Sequence, residues 1–311
     1  MVNGIINVYK EKGYTSFDVV AKLRGILKQK KIGHTGTLDP DAQGVLPVCL
    51  GKATKVCDLL TDKNKEYKAV MLLGKVTDTQ DVSGTVLQER EVCVSEQEVR
   101  DAVLSFVGGY EQVPPMYSAL KVNGKKLCDL AREGKTVERK ARPVQILSIE
   151  IEKIELPRVT MKVECSKGTY IRTLCQDIGE KLGCGACMER LLRTKVSKFF
   201  VEDALTLGQI EELVAKEGAG MEPAEWSAKT FSFIQPVDSV FLQYPKAVVL
   251  QNYDKVLYNG NRLEKNFFQN YQSEWEETPI RIYDEKDCFV GLYEYKPFQK
   301  NYKPAKMFIE T

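Results

Sequence analysis

The chain has 311 residues, 43% of them apolar and 28% charged, with a net charge of +2. That length suits a large buried core divided between two domains, and the balance excludes a disordered, collagenous or disulfide-stapled chain. No run of eighteen apolar residues occurs, so no membrane-spanning helix is expected.

In chain order, Met1-Val2-Asn3-Gly4-Ile5-Ile6-Asn7 reads as the approach to a first strand over 4–9, with no basic-then-apolar signal segment. Ser16 is placed to cap a helix reaching about Gln29, with Val19, Leu23, Ile26 and Leu27 on one face. Residues 33–51 carry four glycines and two prolines and read as a shaped loop entering a buried strand, Val45–Leu50. The chain's one histidine, His34, lies in this stretch, as does Asp39, which Pro40 biases toward extended backbone. Isolated Asp-Pro pairs are mostly turn formers; a carboxylate on a stiff, glycine-flanked loop is also what covalent or acid/base chemistry needs. Ala53–Leu60 reads as a helix and Tyr67–Leu73 as a strand. Ser95 and Glu98 form a capping box opening a helix to about Val107.

Residues 116–142 stand apart, with the hairpin signal Val122-Asn123-Gly124 and a short amphipathic helix over 126–132. Val144–Ile154 and Val159–Cys165 alternate as paired strands around Pro157. Ile171–Leu182 reads as a helix stopped by Gly183, and Thr206 and Gln209 open another. Residues 218–236, richer in Gly, Pro, Ala and Ser, read as a linker to a small β module with an Asn259-Gly260 turn and strands near Ile280–Tyr283 and Phe289–Tyr293. The expected class is α+β, with a mixed, mainly antiparallel sheet.

Nine cysteines with no export signal imply a reducing cytoplasm. Cys184 and Cys187 form one C-x-x-C pair, but a second is missing and the histidine is distant, so they read as core residues rather than zinc ligands. Positive charge is uneven. Residues 1–68 hold 12 Lys and Arg against 7 Asp and Glu, and residues 115–145 hold 8 against 3. That distribution fits a phosphate-binding footprint, although a single charge run is most often a solvated face.

Gly36-Thr37-Leu38-Asp39-Pro40, followed by Ala42, Gly44, Val45 and Leu46, resembles the aspartate motif of pseudouridine synthases, and most closely the TruB type. Asn7-Val8-Tyr9-Lys10, Lys65-Glu66-Tyr67, Thr77-Asp78-Thr79-Gln80-Asp81, Pro115 to Lys121 and Cys165 to Thr173 resemble further motifs in the same order. The similarity spans about residues 3–205 and is specific. It implies a pseudouridine-synthase core over residues 1–240, in which 116–142 is a thumb-like insertion clamping RNA, and a PUA-like RNA-binding domain over 241–311. It also implies isomerisation of the T-loop uridine of tRNA, position 55, to pseudouridine.

That reaction breaks N1–C1′, turns the uracil and forms C5–C1′, so it calls for no metal or redox cofactor. The target base must leave its stack. By the resemblance, Asp39 is the nucleophile, Arg172 the guanidinium that keeps it ionised, and Tyr67 the ring that stacks on the flipped uracil and moves a proton. Tyr170 helps position Tyr67 or the base, and His34 holds open the site the base has left. Lys10 and Lys55 fit phosphate contacts, as does Lys121 in the basic insertion. Asp81 either orients groups at the site or forms a turn. The expected partner is the T-arm of tRNA, with the protein a monomer needing neither a membrane nor a protein partner. Alternatives are an RNA-folding protein with weak or no catalysis, or a synthase for other RNA targets; a metal hydrolase built on His34, Asp39 and Asp41 lacks a spaced ligand cluster.

Overall fold

Strands outnumber helices in this molecule, which a computed structural model describes over residues 1–309. β1 (Gly4–Lys10) leads to α1 (Ser16–Ile26). The cap of α1 is Thr15, whose hydroxyl accepts from the Asp18 N–H while Asp18 accepts from the Thr15 N–H. Ser16 instead braces the loop around Leu38, its Oγ accepting from the Leu38 N–H at 2.9 Å. The helix also stops short of Gln29, because Lys28 turns into the left-handed region at φ 51°.

β2 (Ile32–His34) and β3 (Gln43–Leu50) follow. The expected helix over 53–60 is split into a 3₁₀ turn, Gly51–Val56, and the short α2 (Cys57–Thr61). β4 (Lys65–Leu73) has period-two burial: Tyr67, Ala69, Met71 and Leu73 face the core. Then come the hairpin β5 (Lys75–Thr77) and β6 (Val86–Glu89), α3 (Glu96–Leu104) with the anticipated Ser95–Glu98 capping box, and β7 (Gly108–Gln112). The insertion carries the hairpin β8 (Lys121–Val122) and β9 (Lys125–Lys126) and then α4 (Leu127–Arg132). Asn123 and Gly124 both take positive φ, 51° and 84°, as a type I′ turn requires. β10 (Arg142–Glu155), β11 (Arg158–Cys165), α5 (Ile171–Lys181), β12 (Ala186–Val196), β13 (Phe199–Phe200) and α6 (Leu207–Glu217) complete the first body.

Its sheet runs β1-β3-β12-β4-β11-β10-β7, with β2 beside β3 and β13 beside β12. The β12–β3 pair is parallel and the others are antiparallel. Both faces of β1 and β3 are covered, which explains the unbroken apolar run Val45–Leu50. One face packs Ile6, Val8, Leu46 and Val48 under α1 and α6. On the far side of the sheet's centre, α3 and α5 cover β4 and β10 to β12 through Val99, Val103, Leu174 and Ile178.

β12 was not anticipated. Its register shifts at Met188/Arg190 and Arg193/Lys195 break the alternation, and three cationic side chains dilute its apolar signal. The linker reading of 218–236 is also corrected. Trp226, Phe231 and Ile234 are buried against β1, β3 and α6, and Gln235 exchanges main-chain hydrogen bonds with Ile5 at 2.8 and 2.9 Å. Three large apolar side chains outweigh the Gly and Pro content around them.

A second sheet, β15-β14-β16-β17-β18, comprises β14 (Lys246–Val249), β15 (Phe268–Gln269), β16 (Ile280–Tyr283), β17 (Phe289–Lys296) and β18 (Asn301–Met307). Between its first two strands lies α7 (Asp254–Tyr258), and the expected Asn259-Gly260 turn is the end of this helix, with Gly260 at φ 67°. The second sheet packs on the first: Phe241, Leu292 and Phe308 share one apolar layer with Ile5, Cys49, Val56 and Phe199. Among the described residues no helix is long and apolar enough to cross a membrane.

Candidate active site

The loop between β2 and β3 is pinned at each of its turns. The Thr35 N–H and hydroxyl both donate to the Pro47 carbonyl at 3.1 Å. The Leu38 N–H is held by Ser16, and the Pro40 carbonyl accepts from the Gly13 N–H at 2.9 Å and from Lys10 Nζ at 3.0 Å. Gly44 ends the loop at φ 105°, and a side chain there would strike the main chain of Arg193. Only glycine allows β3 to come this close to β12.

Asp39 is therefore presented on a stiff loop, with its side chain 39% exposed. Arg172, in the first turn of α5, meets it with two nitrogens: Nε lies 2.9 Å from Oδ2, and an Nη lies 3.1 Å from Oδ1. An arginine at a helix N-terminus opposes the helix dipole; the bidentate carboxylate compensates. Arg172 is 4% exposed and also donates to the carbonyls of Thr79 at 2.9 Å and Tyr117 at 2.8 Å. It thus ties three segments together: the aspartate loop, the β5–β6 loop and the base of the insertion. Burial raises the pKa of Asp39, Arg172 opposes that, and the Asp81 carboxylate adds to it. The two-point contact with the guanidinium favours the ionised form of the carboxylate against that burial.

Asp81 shapes the turn and also lies close to Arg172. Its Oδ1 accepts from the Ser83 N–H at 3.0 Å, shaping the turn, and its Oδ2 lies 3.9 Å from Arg172 Nε. Tyr67 is 8% exposed, on the same face of β4 as Met71, and its pKa is raised by burial. Tyr170 is half-buried at the N-cap of α5. Gln112 holds its main chain at both ends, accepting from the Tyr170 N–H at 2.8 Å and donating to its carbonyl at 3.1 Å. His34 is half-buried, and its Nδ1 accepts from the Gly36 N–H at 3.3 Å. Burial and the charge of Arg193 lower its pKa, so the ring is neutral near pH 7.

The structure thus brings Asp39, Arg172 and Asp81 into contact, with Tyr67 and Tyr170 bordering them. It does not bring Lys10 to a phosphate. Lys10 is wholly buried, with its pKa pushed down to about 8 by burial, and its ammonium fastens the carbonyls of Glu11 and Pro40. Lys55 is exposed but donates to the Met307 carbonyl of the second sheet at 2.9 Å, and Lys121 is exposed on β8. Cys184 and Cys187 are buried core thiols, and among the described residues no three His, Cys, Asp or Glu side chains are grouped to hold a metal.

A family model described as TruB family pseudouridylate synthase (N terminal domain) matches residues 24–171, and one described as tRNA pseudouridylate synthase B C-terminal domain matches 172–242. A protein of Lachnoclostridium phytofermentans named tRNA pseudouridine synthase B is 54% identical, over 99% of this chain and 100% of its own. The chain belongs to the TruB family of pseudouridine synthases. A second relative of the same name, from Alkaliphilus oremlandii, is 47% identical over 94% of this chain and 92% of its own. Among solved structures, a chain of a Cbf5–Nop10–Gar1 complex superposes with a TM-score of 0.71 at 28% identity, over 98% of this chain and 85% of that one. A chain of an H/ACA ribonucleoprotein bound to a substrate RNA containing 2′-deoxyuridine superposes with a TM-score of 0.70 at 27% identity, over 99% and 85%.

The boundary between the two TruB family models falls between Ile171 and Arg172, inside α5, so the site draws on both. Two residues of this TruB-family site were not read from the sequence. Gln112 ends a strand before Pro114-Pro115 and gave no signal of its own. Arg193 hides in β12, where the one cue is a cation alternating with Leu191 toward the core.

Proposed function

We propose that this enzyme converts uridine to pseudouridine at position 55 in the T-loop of tRNA, with Asp39 as nucleophile, Arg172 as its counter-charge and Tyr67 as the stacking and proton-moving group. One observation carries the reading: Asp39 is at once oriented by two Arg172 nitrogens and 39% exposed. A buried pair would be structural and a free carboxylate would be unoriented. This one is held ionised and remains within reach of an extruded nucleotide. Asp39 attacks the sugar or the uracil ring; the uracil is released, turned, and rejoined through C5; water or the enzyme returns the proton balance from C5 to N1. Tyr170 borders the base, neutral His34 stacks where the base has left the loop, and Asp81 orients Arg172.

Lys121 and its neighbours in residues 116–142 supply phosphate contacts. Residues 1–240 form the catalytic domain, and 241–311 form a PUA-like domain that binds RNA. The protein acts in the cytoplasm as a monomer on the T-arm, with no cofactor or obligatory protein partner. The tRNA target is favoured over a guided RNA target because relatives named tRNA pseudouridine synthase B match over nearly the whole chain at 47–54% identity, against 27–28% for the ribonucleoprotein chains.

The test is incubation with an unmodified tRNA transcript, followed by mapping of pseudouridine at single-nucleotide resolution. Modification confined to position 55 is expected. Binding without modification would leave an RNA-folding protein, and modification elsewhere would leave a synthase of other specificity.

A further inference from the structure

β12 sets Arg193 directly opposite Tyr67 across the antiparallel β4–β12 ladder. The guanidinium is 1% exposed. Its Nε donates to the Val45 carbonyl at 2.7 Å, an Nη donates to Gly36 at 3.3 Å, and its remaining side-chain partner is the hydroxyl of Tyr67. Among the described residues no carboxylate pairs with it. This differs from Arg172, which is also buried but faces Asp39. A desolvated guanidinium without an anion is an unfavourable arrangement in the resting protein. It becomes favourable if a partner turns anionic during the reaction, and the one partner able to do so is the phenol.

We propose that Arg193 is the positioning residue that equips Tyr67 to move the proton: it anchors the phenol oxygen beside the aspartate loop and stabilises the negative charge that oxygen develops. The inference rests on the reading of Tyr67 as proton mover. In the turned base, C5 is bonded to C1′ and still carries its hydrogen. The Tyr67 oxygen takes that proton, the C5–H electron pair re-forms the C5–C6 double bond, the C6–N1 π pair moves to N1, and the original phenol proton passes through water to N1. The sum is one proton moved from C5 to N1, with no oxidant or reductant.

Five titratable groups face the pair: Asp39 on the loop, Cys165 on β11, Lys65 on β4, Lys10 on β1 and His34 on β2. Burial pushes both Lys10 and Lys65 down to about 8. They titrate where a pH profile would be measured, so acidity is better varied at Tyr67 itself.

Single-turnover rates on an unmodified tRNA transcript at saturating enzyme provide the test. Arg193→Gln should slow isomerisation about a hundredfold, the loss typical of removing one donor from a developing oxyanion. Replacing Tyr67 in that variant with 3,5-difluorotyrosine, whose phenol is more acidic, should recover up to about tenfold for each pK unit gained. In the chain that keeps Arg193, the same replacement should gain less. A loss that difluorotyrosine does not recover, or no loss at all, would overturn the proposal. If melting shows that Arg193→Gln is unfolded, Arg193→Lys carries the same comparison, with a smaller loss and the same recovery expected. Full activity of Tyr67→Phe would instead remove the underlying reading of Tyr67, which keeps the two failures distinct.

Discussion

The buried cations around Asp39 and the exposed cations of the basic insertion hold positive charge in opposite ways. Around Asp39, the side chains of Lys10, Arg172 and Arg193 are at most 4% exposed, and each is fixed to main-chain carbonyls of a neighbouring segment. In the insertion, Lys121, Lys125, Lys126 and Arg132 are exposed on two-residue strands and a six-residue helix. Their ion pairs are local and solvated, such as Arg132 with Asp129 at 3.6 Å, and are worth little. The first arrangement fixes atoms to the precision that chemistry needs. The second keeps charge mobile and long-ranged, which suits attraction of a phosphate backbone. Variants at the buried positions should therefore alter turnover with little change in affinity, and insertion variants should do the reverse.

The sharpest break is Asp39→Asn. It is nearly isosteric but cannot act as the proposed nucleophile, so isomerisation should disappear while tRNA affinity stays within about tenfold, or 1.4 kcal/mol. Turnover above a trace in purified variant would remove Asp39 as nucleophile. Next is Tyr67→Phe, which keeps the ring and should lower the single-turnover rate by about 10²–10⁴ without weakening binding. If only Tyr67→Ala were inactive, the residue would be a stacking platform.

A third way to sharpen the contrast uses pH. Burial raises the pKa of Asp39 above the usual carboxylate range, with Arg172 opposing the shift. In the proposed mechanism the ionised form is the active one, so the rate should fall on acidification, at a pH above that of an ordinary carboxylate. Arg172→Met removes the charge that favours the anion and should move this acid limb further up. A limb that stays in place in the variant would show that Arg172 positions Asp39 without tuning it.

The smallest effect on chemistry is expected from deleting residues 118–140 across a short glycine bridge, which spares the Tyr117 carbonyl held by Arg172. Affinity for tRNA should fall. Every phosphate left without its lysine or arginine should reduce the slope of log affinity against log salt by roughly 0.7–0.9. The rate at saturating enzyme should stay near normal. An unchanged slope, measured by filter binding across a salt series, would mean that these cationic side chains face solvent and do not hold RNA.

Local chemistry in the sequence was enough for much of the fold. The Ser95–Glu98 and Thr206–Gln209 capping boxes, the Asn123-Gly124 turn and the period-two run at β4 each depend on residues a few positions apart, and the structure has each in its expected place. Asp39 and Arg172 were legible as a pair through resemblance to a family, although 133 residues separate them. What the sequence alone did not determine depends on contacts between distant segments. Lys10 looks like a phosphate ligand until Pro40 closes over it, and 218–236 looks like a linker until Trp226 and Phe231 find the sheet. Arg193 is one cation among several in its segment until β12 enters between β3 and β4. Burial and partnership of a charged side chain are set by which strands become neighbours, and that choice minimises the exposed apolar area of the whole chain, so no short window of residues contains it.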